Sequence, residues 1–393
     1  MPADTRPALP RYDMIEAPVL VAGRDALAGL DLKRTDEAYL SRLPLRRSGA
    51  LPADGKPHPL GNSVYRNRKF AVAEGQPPPD TNLRLEGTCI FGGVVSQHFG
   101  HVLTQSLGRL WAHDLAPEAP ILFLPETLGV TALPGYLVDL ARSFGIENEL
   151  RLLDRSAAVS RLLLPQDICN LAYRPSATPY FRDWLARSRP TAGPELSGRL
   201  YVSRSRLGLQ AGQYLQETVL ETALASNGYT VFHPQEHSIA AQFAAYSTAS
   251  HLIFADGSAA HMWSLAAREG QTAAVILRRP RDRQFARWFR SLDSVKPHYL
   301  DFAIADFWRR GEGPGRSVAL LDLQALWDQL RGLGFHGDAR QIGIDRSRLE
   351  AWVTGLPPRM KPPVAVPFDL DDLSRDILSQ RRFSALRPSP ENP

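Results

Sequence analysis

Three short clusters of polar residues carry the groups that could do chemistry in this sequence. The first, Asp256-Gly257-Ser258-Ala259, follows an apolar run typical of a strand and precedes a helical pattern. Gly257 has no Cβ, so a ligand can approach its backbone, and N–H groups at a helix start attract anions. We therefore predict that Gly257, Ser258 and Ala259 bind a phosphate group, with Asp256 and His261 beside it. The alternative is an ordinary helix-capping turn with a packed histidine.

The second cluster, Ser203-Arg204-Ser205-Arg206, stands at the end of another predicted strand. Arginine forms paired hydrogen bonds with phosphate oxygens and can offset the charge of a leaving diphosphate. In open parallel sheets, ligands bind where strands end and helices begin. The sequence thus predicts that Ser203, Arg204 and Arg206 contact the same anion as the first cluster. Loops also carry surface arginines that bind nothing, and that alternative stays open.

The third cluster, His98-Phe99-Gly100-His101, leads into a helical pattern that carries Arg109. A histidine with an ordinary pKa of ~6.5 suits proton transfer near neutral pH. His98 and His101 are three residues apart, so they are predicted to face one cleft; structural histidines are the alternative. No cysteine or carboxylate pattern nearby supplies a third ligand, so no metal site is predicted.

Alternating strand and helix patterns position these clusters and predict an α/β protein with parallel sheets. His98–Leu115 is predicted as one helix. From Arg199 to Leu277 the pattern is β-α-β-α-β-α-β, which indicates a doubly wound sheet. The predicted domains are an N-terminal α/β domain at 1–190 with an irregular leader at 1–85, a second α/β domain at 198–300, and an extension at 301–393, with a linker at 188–197.

The amino-acid composition limits the classes of protein to which this sequence can belong. Hydrophobic residues make up 44% and charged residues 22% of the 393 residues, which is ordinary for a globular protein. Two cysteines exclude a disulfide framework. The net charge of +5 suits an anionic partner, but the arginines are scattered, so no nucleic-acid partner is predicted. No signal peptide and no apolar run of ~20 residues is present, which predicts a cytoplasmic protein.

Missing motifs exclude further classes. The sequence contains no G-x-x-x-x-G-K-[ST] phosphate loop, no G-x-G-x-x-G fingerprint and no G-x-S-x-G elbow around Ser258. A P-loop NTPase, a typical NAD dehydrogenase and a serine hydrolase are therefore disfavoured.

Over about residues 88–280, the motifs and their order resemble glycosyltransferase family 61. They are Gly92-Gly93, His98-Phe-Gly-His101-Val-Leu, Arg109-Leu-Trp111, Tyr201-Val-Ser203-Arg204, Asp256-Gly257-Ser258-Ala259 with His261, and Arg278-Arg279-Pro280. The resemblance implies a GT-B architecture, with two doubly wound domains facing a cleft. It also implies inverting transfer of a sugar from a nucleotide-sugar donor to a glycan or lipid-linked acceptor, as in capsule, exopolysaccharide or lipopolysaccharide synthesis. No metal or further cofactor is predicted, because arginines and helix N–H groups can stabilise the leaving group.

Carried over by position, the resemblance implies that His101 is catalytic, that Arg109 and His98 contact substrate, and that Ser203 and Arg204 contact the donor. Asp256 and His261 are the rival candidates for the base. The sequence departs from the family pattern where His98 replaces Asn, Gln105 replaces an acid, Gly108 replaces Pro, and Asp-Gly-Ser replaces Pro-His-Gly. These departures motivate the alternative of an inactive glycan-binding protein with the same fold. Basic and apolar residues at 368–393 predict peripheral membrane contact or self-association.

Overall fold

The computed structural model describes residues 7–342 and Ser347, apart from residue 29 and residues 31–35, 66–67, 172–173, 191–195, 208–210, 279–281, 293–295 and 308–317. Two compact units are present. The first unit contains Met1–Thr191, Ser264–Ala266 and Ala286–Ser294, and the second contains Ala192–Trp263, Ala267–Phe285 and Val295–Pro393. Half of the predicted linker at 188–197 and all of residues 368–393, where membrane contact or self-association is predicted, lie outside the described residues.

The first unit is built on a mixed sheet. Its strands are β1 (Tyr12–Glu16), β2 (Val19–Val21), β3 (Gly49–Leu51), β4 (Ser63–Tyr65), β5 (Arg68–Phe70), β6 (Arg84–Val95), β7 (Ile121–Pro125), β8 (Leu150–Leu152), β9 (Ala157–Pro165), β10 (Asn170–Leu171) and β11 (Arg174–Pro175). The sheet order is β3-β2-β9-β6-β7-β8, and β1 also pairs with β9. Strands β6 to β9 pair in parallel, whereas β1, β2 and β3 pair antiparallel.

The antiparallel strands come from the segment predicted to be an irregular leader, and that prediction is wrong. Residues 1–85 supply β1 to β3 to the main sheet and the β4–β5 hairpin beside it. Leu20, Tyr65 and Phe70 from this segment are buried in one core with Phe91 and Leu122 of the parallel strands. The stretches Ala17–Ala22 and Ser63–Val72 are strand-like in sequence, and they contain β2 and the β4–β5 hairpin. Strands β1 and β3 were not predicted, because they are only five and three residues long.

Helices of the first unit are short. They are α1 (Glu37–Leu40), α2 (Phe99–His101), α3 (Gly135–Ser143) and α4 (Pro179–Ser188), with 3₁₀ turns at Gly23–Leu27, Pro59–Gly61 and Leu110–Asp114. Thr178 caps α4 by accepting a hydrogen bond from the Phe181 backbone, and Pro179 occupies its first turn.

The predicted single helix at His98–Leu115 is wrong. After α2 the chain forms a π-helical turn at Val102–Ser106 and then the 3₁₀ turn at Leu110–Asp114. Tertiary contacts explain the change, because this stretch is tied to residues that follow β9. The Gly108 carbonyl accepts from the Ile168 backbone at 2.9 Å, and the Trp111 indole donates to the Gln166 carbonyl at 3.0 Å.

The second unit is built on a parallel sheet, and the predicted strands were found. From residue 199 onward the elements are β12 (Arg199–Val202), α5 (Glu217–Ala225), β13 (Thr230–Phe232), α6 (Ile239–Thr248), β14 (His251–Ala255), α7 (Ser258–Ala266), β15 (Thr272–Ile276), α8 (Asp282–Leu292), β16 (His298–Leu300), β17 (Ala303–Phe307), β18 (Val318–Leu321) and α9 (Leu323–Gly332). The sheet order is β13-β12-β14-β15-β16, and all of its pairs are parallel. The α/β class is thereby confirmed.

Part of the predicted C-terminal extension belongs to the core of the second unit. Leu321, Leu326 and Trp327 from β18 and α9 are buried in one cluster with Tyr201 and Ile253 of the parallel strands. Strand β18 replaces the first residues of a helix predicted at Ala319–Leu333, and α9 supplies the remainder.

Two further properties follow from the fold. Both cysteines, Cys89 and Cys169, are free and buried, and burial raises the pKa of each thiol. Within the described part of the chain, no helix combines the length and the apolar character that a membrane span requires.

Candidate functional site

The order of the parallel strands in the second unit defines a place for a ligand. The chain passes from β12 to β13 on one side and then returns to β14 on the other side of β12. In open α/β sheets, such a reversal leaves a crevice at the carboxyl ends of the two strands, and ligands bind there. Ser203 and Arg204 follow β12, while Asp256 and Gly257 follow β14. Two of the three predicted clusters therefore meet at this crevice.

The guanidinium group of Arg204 lies directly against the backbone of Gly257. A Cβ atom added to Gly257 would overlap Nη1 of Arg204, so only glycine leaves room for this approach. Arg204 Nε donates to the Gly212 carbonyl at 3.0 Å, and Nη2 donates to the Ala211 carbonyl. These carbonyls hold the guanidinium plane in place, with its Nη1 side toward the turn before α7.

Helix α7 begins at Ser258, immediately after Gly257. Gly257 has extended backbone angles (φ 178°, ψ −177°), and its position provides no side-chain cap for the helix. Ser258 and Ala259 are half-buried, so the first turn is accessible from solvent. A helix start without a side-chain cap presents backbone N–H groups and a partial positive charge. Together with Arg204, the turn can bind an anion.

Ser203 is buried and stabilises the turn after β12 through hydrogen bonds to helix α5. Its Oγ lies 2.9 Å from Glu217 Oε1 and 2.6 Å from Glu221 Oε1, both on α5. The predicted direct contact of Ser203 with a donor is thus not supported, because its hydroxyl faces two carboxylates. Glu217 Oε1 also accepts from the Arg204 backbone at 2.8 Å. Glu217 therefore holds the backbone of Arg204 in place.

Burial raises the pKa of Glu217, and the nearby Glu221 acts in the same direction. Hydrogen bonds from the Arg204 backbone and from the side chains of Tyr201 and Ser203 offset part of this effect. Among the described residues, Glu217 Oε2 has no hydrogen-bond partner. Glu217 is therefore a buried carboxylate whose ionisation the fold opposes.

Arg206 lies at the mouth of a cavity of about 380 Å³ in the second unit. The cavity is lined by α5, β13 and the turn after β13, including Glu221, His233 and His237. Arg206 is exposed and forms an ion pair with Glu236 at 2.9 Å. Burial lowers the pKa of His233, and the charge of Arg206 adds to that effect, so a neutral imidazole is favoured there.

Asp256 is completely buried, which argues against its predicted role as a base. Its Oδ2 accepts from the Arg278 backbone at 3.3 Å, and its own backbone donates to Tyr214 Oη at 2.7 Å. Asp256 thus joins the ends of neighbouring strands and is not exposed to solvent. His261 is half-buried on α7, one turn beyond the crevice.

The predicted histidine cluster lies in the first unit. The rings of His98 and His101 have centroids 4.6 Å apart, and the Tyr65 ring lies 5.6 Å from His101. Tyr65 Oη is 2.6 Å from Ser96 Oγ, which also accepts from the His98 backbone at 3.1 Å. His98 is exposed and His101 is half-buried, so both histidines are within reach of a ligand.

Arg109 is buried, and its predicted contact with substrate is not supported. Its nitrogens donate to the carbonyls of Pro165 at 3.1 Å and Asn62 at 2.5 Å, and to Ser63 Oγ at 3.1 Å. The guanidinium also lies 4.8 Å from the centre of the Phe91 ring. Arg109 therefore ties the leader to the end of β9 and has a structural role.

A family model described as Glycosyltransferase 61 matches residues 99–275. We call residues 99–275, over which this model matches, the glycosyltransferase 61 region. The predicted resemblance is thereby confirmed, and the glycosyltransferase 61 region includes His101, Arg204 and the Gly257 turn.

No curated protein matches the sequence. Among solved structures, the chain is similar to the bacterial iron-containing dodecameric glycosyltransferase TibC from enterotoxigenic E. coli H10407. The identity is 10%, the match covers 77% of this chain and 85% of that chain, and the TM-score is 0.30. In the described part of this chain, no group of three or more His, Cys, Asp or Glu side chains is arranged to hold a metal ion.

Sequence reasoning missed four polar residues that the structure places beside the clusters. They are Asp167, Asn170, Glu217 and Glu221. Asp167 and Asn170 follow the apolar end of β9, and the rule that directs attention to strand ends would have found them. Glu217 and Glu221 are four residues apart on α5, which places both on one helix face.

Proposed function

We propose that this chain transfers a sugar, with inversion, from a nucleotide-sugar donor to a hydroxyl group of a glycan or lipid-linked acceptor. The observation that carries the proposal is the contact between the Arg204 guanidinium and the Gly257 backbone, inside the glycosyltransferase 61 region. A fixed arginine and an uncapped helix start at one crevice suit a diphosphate, whose charge grows as it leaves. The cavity beside Arg206 offers room for the nucleoside of the donor.

In this reaction the acceptor oxygen attacks the anomeric carbon and forms the new C–O bond. The bond between that carbon and the phosphate oxygen breaks, and the diphosphate leaves with the electron pair. Arg204 and the N–H groups of Ser258 and Ala259 stabilise its negative charge. The proton of the acceptor hydroxyl passes to a base, for which we propose His101.

We assign His101 this role because it is partly accessible and belongs to the glycosyltransferase 61 region. His261 is the second candidate, since it is half-buried on α7 next to the proposed donor site. Transfer without a metal, the place of the reaction in cell-surface polysaccharide synthesis, and a cytoplasmic location with peripheral membrane contact stay predictions.

A turnover assay with a panel of nucleotide sugars tests the proposal. Arg204→Ala should lower kcat by about 10²- to 10³-fold, as expected for loss of a donor that stabilises developing charge. His101→Ala should lower kcat by about 10²- to 10⁴-fold, the usual contribution of a general base. Arg331→Ala is the matched control, because Arg331 is a surface arginine of the second unit paired with Asp328. Full activity in both of the first two variants would reject the assigned roles.

A further inference from the structure

Four side chains form a hydrogen-bonded chain in the first unit, from His101 to Asp167. His101 Nδ1 lies 2.8 Å from Gln105 Oε1. Gln105 Nε2 donates to Asn170 Oδ1 at 3.4 Å, and Asn170 Nδ2 donates to Asp167 Oδ2 at 2.8 Å. We call these four residues the relay. It begins at the proposed base and ends at a carboxylate that the sequence analysis did not single out.

The carboxylate sets the direction of every hydrogen bond in the relay. An ionised carboxylate can only accept, so Asn170 must turn its Nδ2 toward Asp167. Its Oδ1 then faces Gln105, which must present Nε2 to it. Gln105 Oε1 is consequently the atom that faces His101. An isolated amide group can be turned either way, but a relay that ends on a carboxylate cannot.

This order decides which nitrogen of His101 carries the proton. Because Gln105 Oε1 is an acceptor, His101 Nδ1 must be the N–H donor. In the neutral imidazole, Nε2 then has the lone pair and is the basic nitrogen. His101 and Gln105 are four residues apart at the start of the π-helical turn, and such turns occur frequently at functional sites.

Asp167 is itself held firmly. Its Oδ1 accepts from the Cys169 backbone at 2.9 Å. A Cβ atom on Gly108 would overlap the same oxygen, so the absence of a side chain at Gly108 makes room for the carboxylate. The Asn170 amide is held a second time, because Nδ2 also donates to the Gln105 carbonyl at 3.3 Å. The far end of the relay is thus anchored to backbone.

We propose that Asp167 is a positioning residue that acts through Asn170 and Gln105 to hold His101 as the Nδ1–H tautomer, with Nε2 as the base. The proposal rests on the proposed function in one respect, namely that His101 accepts the proton of the acceptor hydroxyl. When Nε2 takes that proton, the imidazolium donates from Nδ1 to Gln105 Oε1, and both amides keep their orientation. Asp167 accepts hydrogen bonds throughout and touches no substrate.

Nitrogen-15 NMR of the full chain with labelled histidine tests the tautomer directly, without donor or acceptor. The measurement is made at a pH where the imidazole is neutral, and the signals lost in His101→Gln assign the ring. We expect a protonated Nδ1 and an unprotonated Nε2 in the wild-type protein. A protonated Nε2 in the wild type would overturn the proposal, whatever happens in any variant.

Three variants complete the test. Asp167→Asn keeps the shape but removes the group that can only accept, so His101 should become a mixture of both tautomers. Adding Gln105→Glu to Asp167→Asn should restore the Nδ1–H form, because the introduced carboxylate faces Nδ1 directly and can only accept. Asp139→Asn makes the same change at an exposed aspartate of the first unit and should leave the tautomer unchanged. An unchanged tautomer in Asp167→Asn would also overturn the proposal.

Kinetics separate this proposal from the proposed function. Asp167→Asn should lower kcat by about 10- to 100-fold, the usual effect of a residue that orients a reacting group, while KM for the donor stays constant. Loss of activity in His101→Ala together with a wild-type Nε2–H tautomer would reject the relay and keep the function. An Nδ1–H tautomer in a protein that transfers no sugar would reject the function and keep the relay.

Discussion

At the scale of single residues, the contact between Arg204 and Gly257 makes the two positions interdependent. Gly257 has extended backbone angles that any residue can adopt, so a side chain there meets no backbone strain. Its Cβ would instead displace the end of a flexible side chain, the Arg204 guanidinium. Substitution at Gly257 should therefore affect ligand binding much more than folding.

Gly257→Ala is expected to weaken nucleoside diphosphate binding by about tenfold or more, because a displaced guanidinium loses its paired hydrogen bonds to phosphate. The melting temperature should change little. Binding is measured by calorimetry on the full chain. Gly135→Ala is the control, since Gly135 begins helix α3 and its Cβ would meet no atom within 4 Å. Equal affinity of Gly257→Ala and the wild type would contradict the role of this approach.

Glu217 predicts a pH dependence of stability with a definite sign. Burial raises its pKa above the ordinary value of 4.5, so the folded chain still binds a proton where the unfolded chain has lost it. Stability must then fall as the pH rises through the interval between the unfolded and folded pKa values. Each unit by which the pKa is raised costs about 1.4 kcal/mol above that interval.

Glu217→Gln removes this titration and keeps an oxygen that can accept from Tyr201 and Arg204. The free energy of unfolding of the variant, relative to the wild type, should therefore rise as the pH increases above about 4.5. Chemical denaturation at a series of pH values measures it. Glu269→Gln, at an exposed glutamate of the second unit, is the matched control. A flat difference for Glu217→Gln would show that its ionisation is not linked to folding.

The residue scale also shows what sequence reasoning about a site can reach. Residue type and the position at a strand end were enough to place Arg204 and the Gly257 turn in one crevice. They did not distinguish an accessible Asp from a buried one, and so Asp256 was predicted as a site residue although it is buried. Arg109, which the family resemblance implied as a site residue, is buried as well. Burial depends on what packs over a side chain, which its own neighbours in the sequence do not reveal.

At the scale of secondary-structure elements, the predictions from the sequence were most accurate for strands in the interior of a sheet. Strands β14 and β15 are buried, almost continuous apolar runs, and their positions were predicted to within a residue. Strand β1 of the leader was not predicted, because it is short and most of its residues are exposed, so that no apolar pattern marks it. The stretch from His98 to Leu115 departs from one helix because bonds to residues 166–168 outweigh its local helical pattern.

Helix α9 gives a prediction at this scale, since it lies in a segment that the sequence suggested was an extension. Leu326 is completely buried on α9, in the core of the second unit. Leu326→Ala should therefore lower stability by about 2–5 kcal/mol, the usual cost of such a core truncation. Gln329→Ala, at an exposed position of the same helix, should change stability by less than about 0.5 kcal/mol. Denaturant unfolding measures both, and an equal, small effect would show that α9 is dispensable.

At the scale of the whole molecule, a net charge of +5 favours encounter with anions but does not select one. Selection must come from the crevice at β12 and β14. A ligand that binds the folded chain but not the unfolded chain raises the free energy of unfolding by RT ln(1 + [L]/Kd). This is about 2.7 kcal/mol when the ligand is present at 100 times its Kd.

Nucleoside diphosphates should accordingly raise the melting temperature of the wild-type protein, and one nucleoside should give the largest shift. Arg204→Ala should abolish most of that shift, and Arg331→Ala should preserve it. Differential scanning fluorimetry with the four common nucleoside diphosphates measures the shifts. Absence of any shift in the wild type would argue that the crevice does not bind the donor.

The two buried cysteines have a practical consequence for studying this protein. Their thiols are enclosed in the first unit, and burial disfavours the reactive thiolate form of each. A cysteine introduced at an exposed position, such as Gln97→Cys beside His98, would therefore react first with a maleimide dye. Fluorescence from that dye would report acceptor molecules arriving at the histidines, with the native cysteines left in place.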